Sequence, residues 1–170
     1  MAGRPQCSCT PKPIGPYTRR VFWCRSSGHW LKAWARLAGV PMNFPSAHHP
    51  VKSVHAMRLC CVLEPDQPAL GRFAEAAFDA YFAHQRNLDD PAVLADIAEG
   101  CGLDGESLVR RTGDDDIKAR LRANTQAVID AGGFGSPTMV VDGGRLYFGN
   151  DQLPLVRQAL ATTEFGGHNT

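Results

Sequence analysis

The chain has 170 residues, of which 44% are hydrophobic and 21% charged, a composition that fits one folded globular domain and excludes a disordered or fibrous protein. No apolar run approaches the roughly 18 residues of a membrane helix, the longest being the short stretch near Phe134 to Val141, so a spanning protein is not expected. The opening MAGRPQCSCTPKPIGPYTRR lacks the apolar segment of a signal peptide, which predicts a cytoplasmic protein whose six cysteines are reduced thiols.

The net charge of +1 conceals a division: residues 1–63 hold nine Lys or Arg and no Asp or Glu, and the rest holds nine basic against seventeen acidic residues, a balance of −8. Such a division predicts that the basic part meets an anion, either a small carboxylate ligand or the acidic part of the same chain. Nucleic acid ranks below both. No zinc finger, RNA-recognition motif or aromatic-laced basic helix accompanies the charge.

In chain order, residues 1–28 carry four Pro, three Cys and five basic residues and read as an irregular basic arm. An Arg-bearing, acid-poor start also suits a transit peptide, but prolines at 5, 11, 13 and 16 oppose the amphipathic helix such peptides form. Trp30, Leu31, Trp34, Leu37 and Ala38 are spaced as one helical face that stops at Gly39. Val40 to Pro45 is bracketed by prolines and predicts extended chain. Amphipathic helices follow over Val51 to Leu63 and Ala69 to Ala83, the latter expected to bury Phe73, Ala77, Phe78, Tyr81 and Phe82. Asp90-Pro91 opens a helix that Gly100 closes, and Asp104 with Ser107 begins a short one. Asp114 is the expected cap of a helix from Ile117 to Ala131, stopped by Gly132-Gly133. Thr138 to Val141 and Arg145 to Phe148, joined through Asp142-Gly143-Gly144, predict a β-hairpin. Asn150 is the expected cap of a last helix through Leu160, with a fraying tail from Thr162. The expected organisation is an arm over 1–28, a helical domain over 29–132, a hairpin-plus-helix unit over 133–162 and a tail over 163–170.

Gly135-Ser136-Pro137-Thr138, directly ahead of the hairpin, is the sharpest local feature. A cis proline there would present the N–H and C=O of Ser136 as an open edge able to pair with a peptide-like ligand. A trans proline that only starts a strand is the other reading. The chain has no C-x-x-C, so a dithiol pair is absent; Cys7 and Cys9 form C-x-C, while Cys60, Cys61 and Cys101 fall on helices as small core residues. His48, His49 and His55 are close in sequence, but no Cys or carboxylate spacing completes a metal site, and they read as surface histidines.

Several pieces then line up in order: Trp34-Ala35-Arg36 with Gly39-Val40-Pro41 and Phe44-Pro45, then Ala56-Met57-Arg58 and Phe73-Ala74-Glu75-Ala76. Asp89-Asp90-Pro91-Ala92-Val93-Leu94, Phe134-Gly135-Ser136-Pro137-Thr138 and Phe148-Gly149-Asn150-Asp151 complete the set. From Trp30 to Leu160 the chain resembles the kappa-class glutathione transferase and 2-hydroxychromene-2-carboxylate isomerase family, the glutathione-using branch of the DsbA-like thioredoxin folds. The Trp-Ala-Arg and Gly-Val-Pro pieces lean toward the isomerase. The resemblance implies an α/β, thioredoxin-like fold with a large helical insertion, here mostly α with a C-terminal hairpin and helix. It implies glutathione as cofactor, its cysteinyl part on the Ser136 backbone beside cis Pro137, its γ-glutamyl end at Asn150 and Asp151.

The family's opening strand, serine, helix and second strand have no counterpart in residues 1–28, so the chain resembles a member whose N-terminal unit is missing or read from another frame. Ser26 and Ser27 are the nearest candidates for the catalytic serine, and both are set aside because the following helix matches a later part of the pattern. Lys52 stands where the family often has Asn and is a candidate for a substrate carboxylate; the other reading is a solvated lysine. The implied activity is a glutathione-dependent isomerisation of a small aromatic carboxylate of the hydroxychromene type, in a cytoplasmic protein that binds neither nucleic acid nor membrane and forms a homodimer. The alternatives are a non-catalytic or weakly active glutathione-binding remnant and a kappa-like transferase.

Overall fold

A computed structural model describes residues 27–141 and 144–165, with side chains over 31–141 and 144–161. The Val21 to Cys24 stretch, Cys7 and Cys9, and Ser26 lie outside the described residues. The first helix, α1 (Ser27–Ala38), ends where Gly39 takes φ 68° and the Val40 N–H reaches the Ala35 carbonyl at 2.9 Å, a left-handed stop that glycine adopts without steric cost. Its expected apolar face is corrected by the structure. Ala35 is buried, whereas Trp34 and Leu37 are 43% and 78% exposed, because the helix meets its surroundings along the Ala35 side.

Residues 40–53 run without helix or strand, with cis peptide bonds before Pro45 and Pro50. Asn43 anchors this segment to the end of a later helix: its backbone N–H donates to the Phe82 carbonyl and its Nδ2 to the Ala83 carbonyl, both at 2.6 Å. These are carbonyls that a helix C-terminus leaves unpaired. Phe44 is buried, edge-on to the His49 ring at 5.1 Å, and His49 Nδ1 lies 3.0 Å from the Tyr81 hydroxyl. His49 is therefore a half-buried packing residue, not the surface histidine expected.

Five helices then pack on one another: α2 (Val54–Leu63), α3 (Gln67–Phe82), α4 (Pro91–Gly100), α5 (Gly105–Arg111) and α6 (Asp115–Asp130). Helix α2 starts three residues later than expected, since Val51 to Ser53 continue the non-helical segment after Pro50. The first turns of α3, α4 and α5 are held by Asp66, Asp90 and Asp104, whose carboxylates accept from the backbone N–H of Ala69, Ala92 and Ser107 at 2.9–3.0 Å. Asp114 departs from the expectation. It makes no side-chain cap and faces Arg111 instead, 3.6 Å from its Nε.

Phe73, Leu59 and Leu94 are fully buried and knit α3, α2 and α4 into a core completed by Ala69, Ala77, Tyr81, Ile97 and Ala98. Phe78 does not join it. Phe73, Ala77, Ala80 and Tyr81 follow helical spacing, which rotates Phe78 off the buried face; it is 65% exposed and stacks on Phe82, with centroids 6.3 Å apart. Gly105 lets α5 meet α4, since a β-carbon there would collide with the Ala95 backbone.

The chain closes with β1 (Thr138–Val141) and β2 (Arg145–Phe148), antiparallel in the register Thr138 opposite Phe148 and Val141 opposite Arg145. A 3-10 turn over Asn150–Gln152 leads into α7 (Leu153–Phe165), which packs on β1 and buries Ala159. Asn150 is therefore not the cap expected: it is the first residue of the 3-10 turn, Gly149 holds the cap position, and no side-chain cap bond forms. Helix α7 also runs past Thr162, where a tail was expected, because no helix breaker precedes Gly166.

Candidate functional site

The hairpin register brings the two ends of its strands together, and with them the two sequence motifs. Thr138 opposite Phe148 places Pro137 beside Gly149. The Gly149 N–H donates to the Pro137 carbonyl at 3.0 Å, so the residue after β2 is tied to the proline before β1. The Ser136–Pro137 bond is cis. Ser136 and Pro137 are both exposed, and among the described residues no backbone hydrogen bond reaches the N–H or C=O of Ser136. That edge is free to pair with an extended ligand.

Two glycines shape the turn. Gly149 has φ 101°, and a β-carbon there would lie 2.5 Å from Asp151 Oδ1, so glycine alone allows the Asp151 carboxylate to fold back over the strand end. The second carboxylate oxygen, Oδ2, accepts from Gln152 Nε2 at 3.0 Å. Gly135, one residue before Ser136, lies under the Phe148 ring, where a β-carbon would approach Cε2 to 2.6 Å. Phe148 in turn packs on Phe134 with centroids 4.5 Å apart, and Phe134 is 75% exposed. Thr138 Oγ1 donates to the Gly135 carbonyl at 2.5 Å and closes the loop on itself.

Ser136, Pro137, Asn150 and Asp151 thus meet in one exposed patch with an aromatic pair beside it. The sequence reading missed the parts played by Gly149 and by the Phe134–Phe148 pair. A glycine between a strand and an Asn-Asp turn is the one signal that pointed to the former. Lys52 is engaged elsewhere, its Nζ 4.0 Å from Asp89 Oδ2 and its side chain 81% exposed. Ser26 lies outside the described residues. Ser27 opens α1, with its side chain also outside them.

Cys60 and Cys61 do not contribute a nucleophile. Burial and the neighbouring Cys61 push Cys60 up to about 11, and burial also raises Cys61, so both stay protonated and unreactive at neutral pH. Glu64 is held below the usual carboxylate range by the two 2.7 Å hydrogen bonds from Arg120. No group of three or more His, Cys, Asp or Glu with metal-site geometry occurs among the described residues, and no described helix is long and apolar enough to cross a membrane.

A cis proline leading into a hairpin, followed by a terminal helix and preceded by a helical layer, has counterparts among known proteins. The family model for a DSBA-like thioredoxin domain matches residues 24–161. The chain belongs to the DSBA-like thioredoxin family. Glutathione S-transferase kappa 1 of Rattus norvegicus is 26% identical to this DSBA-like chain over 134 residues, which is 75% of the chain and 59% of the relative. The chain therefore spans about three-fifths of the length of that relative. Among solved structures, a 2-hydroxychromene-2-carboxylate isomerase superposes with a TM-score of 0.68 at 23% identity, over 88% of this chain and 72% of that one. A candidate protein disulfide isomerase from Nitrosomonas europaea gives 0.67 at 20% identity, over 94% and 79%. This chain has the thioredoxin-like DSBA fold, mostly helical with a small two-stranded antiparallel sheet near the C-terminus. The kappa transferase relative and the isomerase structural match bear out the family resemblance read from the sequence.

Proposed function

We propose that this DSBA-like chain is a glutathione-dependent isomerase acting on a small aromatic carboxylate of the 2-hydroxychromene-2-carboxylate type, in the cytoplasm and as a homodimer. The observation that carries the proposal is the unpaired Ser136 backbone edge set beside the Gly149-Asn150-Asp151 turn. An edge with one free N–H and one free C=O matches the cysteinyl peptide unit of glutathione. The carboxylate of Asp151, poised at the same turn, suits the γ-glutamyl ammonium. The residues present therefore fit the cofactor. Bound there, glutathione would supply a thiol nucleophile that adds to a conjugated carbon and leaves again. The Phe134–Phe148 pair offers an apolar face for an aromatic ring.

Two measurements test this. Added glutathione is expected to raise the melting temperature by mass action, since the ligand binds only the folded form, and Asp151→Ala is expected to abolish that rise. An unchanged shift in the variant would separate Asp151 from the ligand. Loss of the chromene absorbance, followed with and without glutathione, reads the reaction itself. The kappa-class relative favours a second reading, conjugation of glutathione to an electrophile. Consumption of free thiol with an aryl halide, without chromene isomerisation, would select it. Binding without either activity would select a glutathione-binding remnant.

A further inference from the structure

Arg86 and Arg120 each meet a carboxylate, Asp96 and Glu64 respectively. Arg58 on α2 does not. Its side chain is half-buried and its Nε is sealed from solvent with no acceptor. Its own stretch of chain supplies no counter-charge, since no Asp or Glu occurs before Glu64, and on the facing helix the Asp130 carboxylate accepts from Gln126 Nε2 at 2.8 Å. A buried N–H donor without an acceptor is costly, while the terminal nitrogens of the same guanidinium are not among the sealed atoms and remain able to meet an anion.

Helix register sets Arg58 toward the end of α2 that lies against the C-terminal end of α6, from which the Ser136 loop departs. Across the α2–α6 contact, Glu64 pairs with Arg120, and Cys61 lies 3.9 Å from Nδ2 of Asn124, one turn further on. Another turn along both helices sets Arg58 level with Val128. Val128 in turn borders the loop that carries the open edge: a β-carbon on Gly133 would lie 2.5 Å from Val128 Cγ1 and 3.3 Å from Thr138 Cγ2. Thr138 follows Ser136-Pro137 directly.

We propose that Arg58 binds a carboxylate of the ligand held at the Ser136 edge, an assignment that rests on the glutathione-site reading above. The planar guanidinium matches a carboxylate with two parallel hydrogen bonds, which lysine cannot reproduce. The carboxylate has two possible sources, the glycyl end of glutathione or the aromatic substrate, and both present the same chemistry.

The test is calorimetric titration of the full chain and of Arg58→Met, Arg58→Lys and Asp151→Ala with three probes: glutathione, its glycyl ethyl ester and 2-hydroxycinnamate. Arg58→Met is expected to weaken binding about 10- to 100-fold, the range for losing a charged hydrogen bond, with Arg58→Lys recovering only part. If the ester binds the wild type more weakly than glutathione does and the difference vanishes in Arg58→Met, the glycyl carboxylate is the partner. If only 2-hydroxycinnamate is lost, the substrate carboxylate is. Ligand-free Arg58→Met is expected to melt higher than the wild type, because a buried N–H donor without an acceptor has been removed. A lower melting temperature with unchanged binding would make Arg58 purely structural and overturn the assignment, as would a wild type that binds none of the probes. Glutathione binding lost in Asp151→Ala but intact in Arg58→Met, with 2-hydroxycinnamate binding also intact there, overturns Arg58 and keeps the cofactor site. The reverse, 2-hydroxycinnamate binding through Arg58 with no glutathione binding, supports Arg58 and overturns the cofactor reading.

Discussion

Phe73 shows how much one side chain decides here. It is fully buried at the point where α2, α3 and α4 meet, and its replacement by alanine would remove both the transfer free energy of the ring and the packing around it. Phe73→Ala is expected to cost about 3–5 kcal/mol, read from denaturant midpoints; a loss below about 1 kcal/mol would mean that the core collapses around the gap. Phe78, five residues on, points outward, so Phe78→Ala should change stability by only a few tenths of a kcal/mol. Cys60 gives a pH prediction with a definite sign. Its thiol ionises near 9 in the unfolded chain and near 11 in the fold. Between those values the unfolded chain has released a proton that the folded chain still holds. Stability contributed by Cys60 is therefore complete below pH 9 and is lost as pH rises through 11. Thermal melts across that window should fall more steeply for the wild type than for Cys60→Ala.

Among elements, α4 and α5 approach closely at a corner that depends on Gly105. A methyl group there would enter the Ala95 backbone, which cannot yield as a flexible side chain would. Gly105→Ala is expected to destabilise by about 1–3 kcal/mol as an overpacked contact, although alanine is the better helix former. An unchanged or raised melting temperature would show that propensity outweighs the clash. The neighbouring cap supplies a control: Asp104→Ala removes only the 2.9 Å bond to the Ser107 N–H and should cost about 1 kcal/mol. The hairpin is an element of another kind. One of its eight strand residues, Val141, is buried, so its contribution lies in joining Ser136-Pro137 to Gly149-Asp151 rather than in core packing.

For the whole molecule, apolar side chains remain outside the packed helices. Val140 and Phe148 on the hairpin and Leu153, Leu155 and Leu160 on α7 are each 42–55% exposed. Exposed apolar side chains on a two-stranded sheet favour association, and on the proposed homodimer reading concentration-dependent self-association in sedimentation velocity is expected, weakened by Val140→Lys. A monomer at every concentration would overturn the homodimer part of the proposal. The helices, the hairpin and its register limits were legible from local signals: Asp-Pro and Gly boundaries, apolar spacing of 3.6, and an Asp-Gly-Gly turn between two short apolar runs. The fold class and family followed from the order of those pieces. The buried face of α3 was legible in Phe73, Ala77 and Tyr81, but the limits of such a face were not, as Trp34, Leu37 and Phe78 show, because amphipathic spacing names an apolar stripe without naming the partner that buries it. Nor was the role of Gly149 or the isolation of Arg58. The first depends on a hydrogen bond to Pro137 across the hairpin and the second on which side chains the packed α2–α6 pair brings to Arg58, and both arise only when segments distant in the chain are brought into contact.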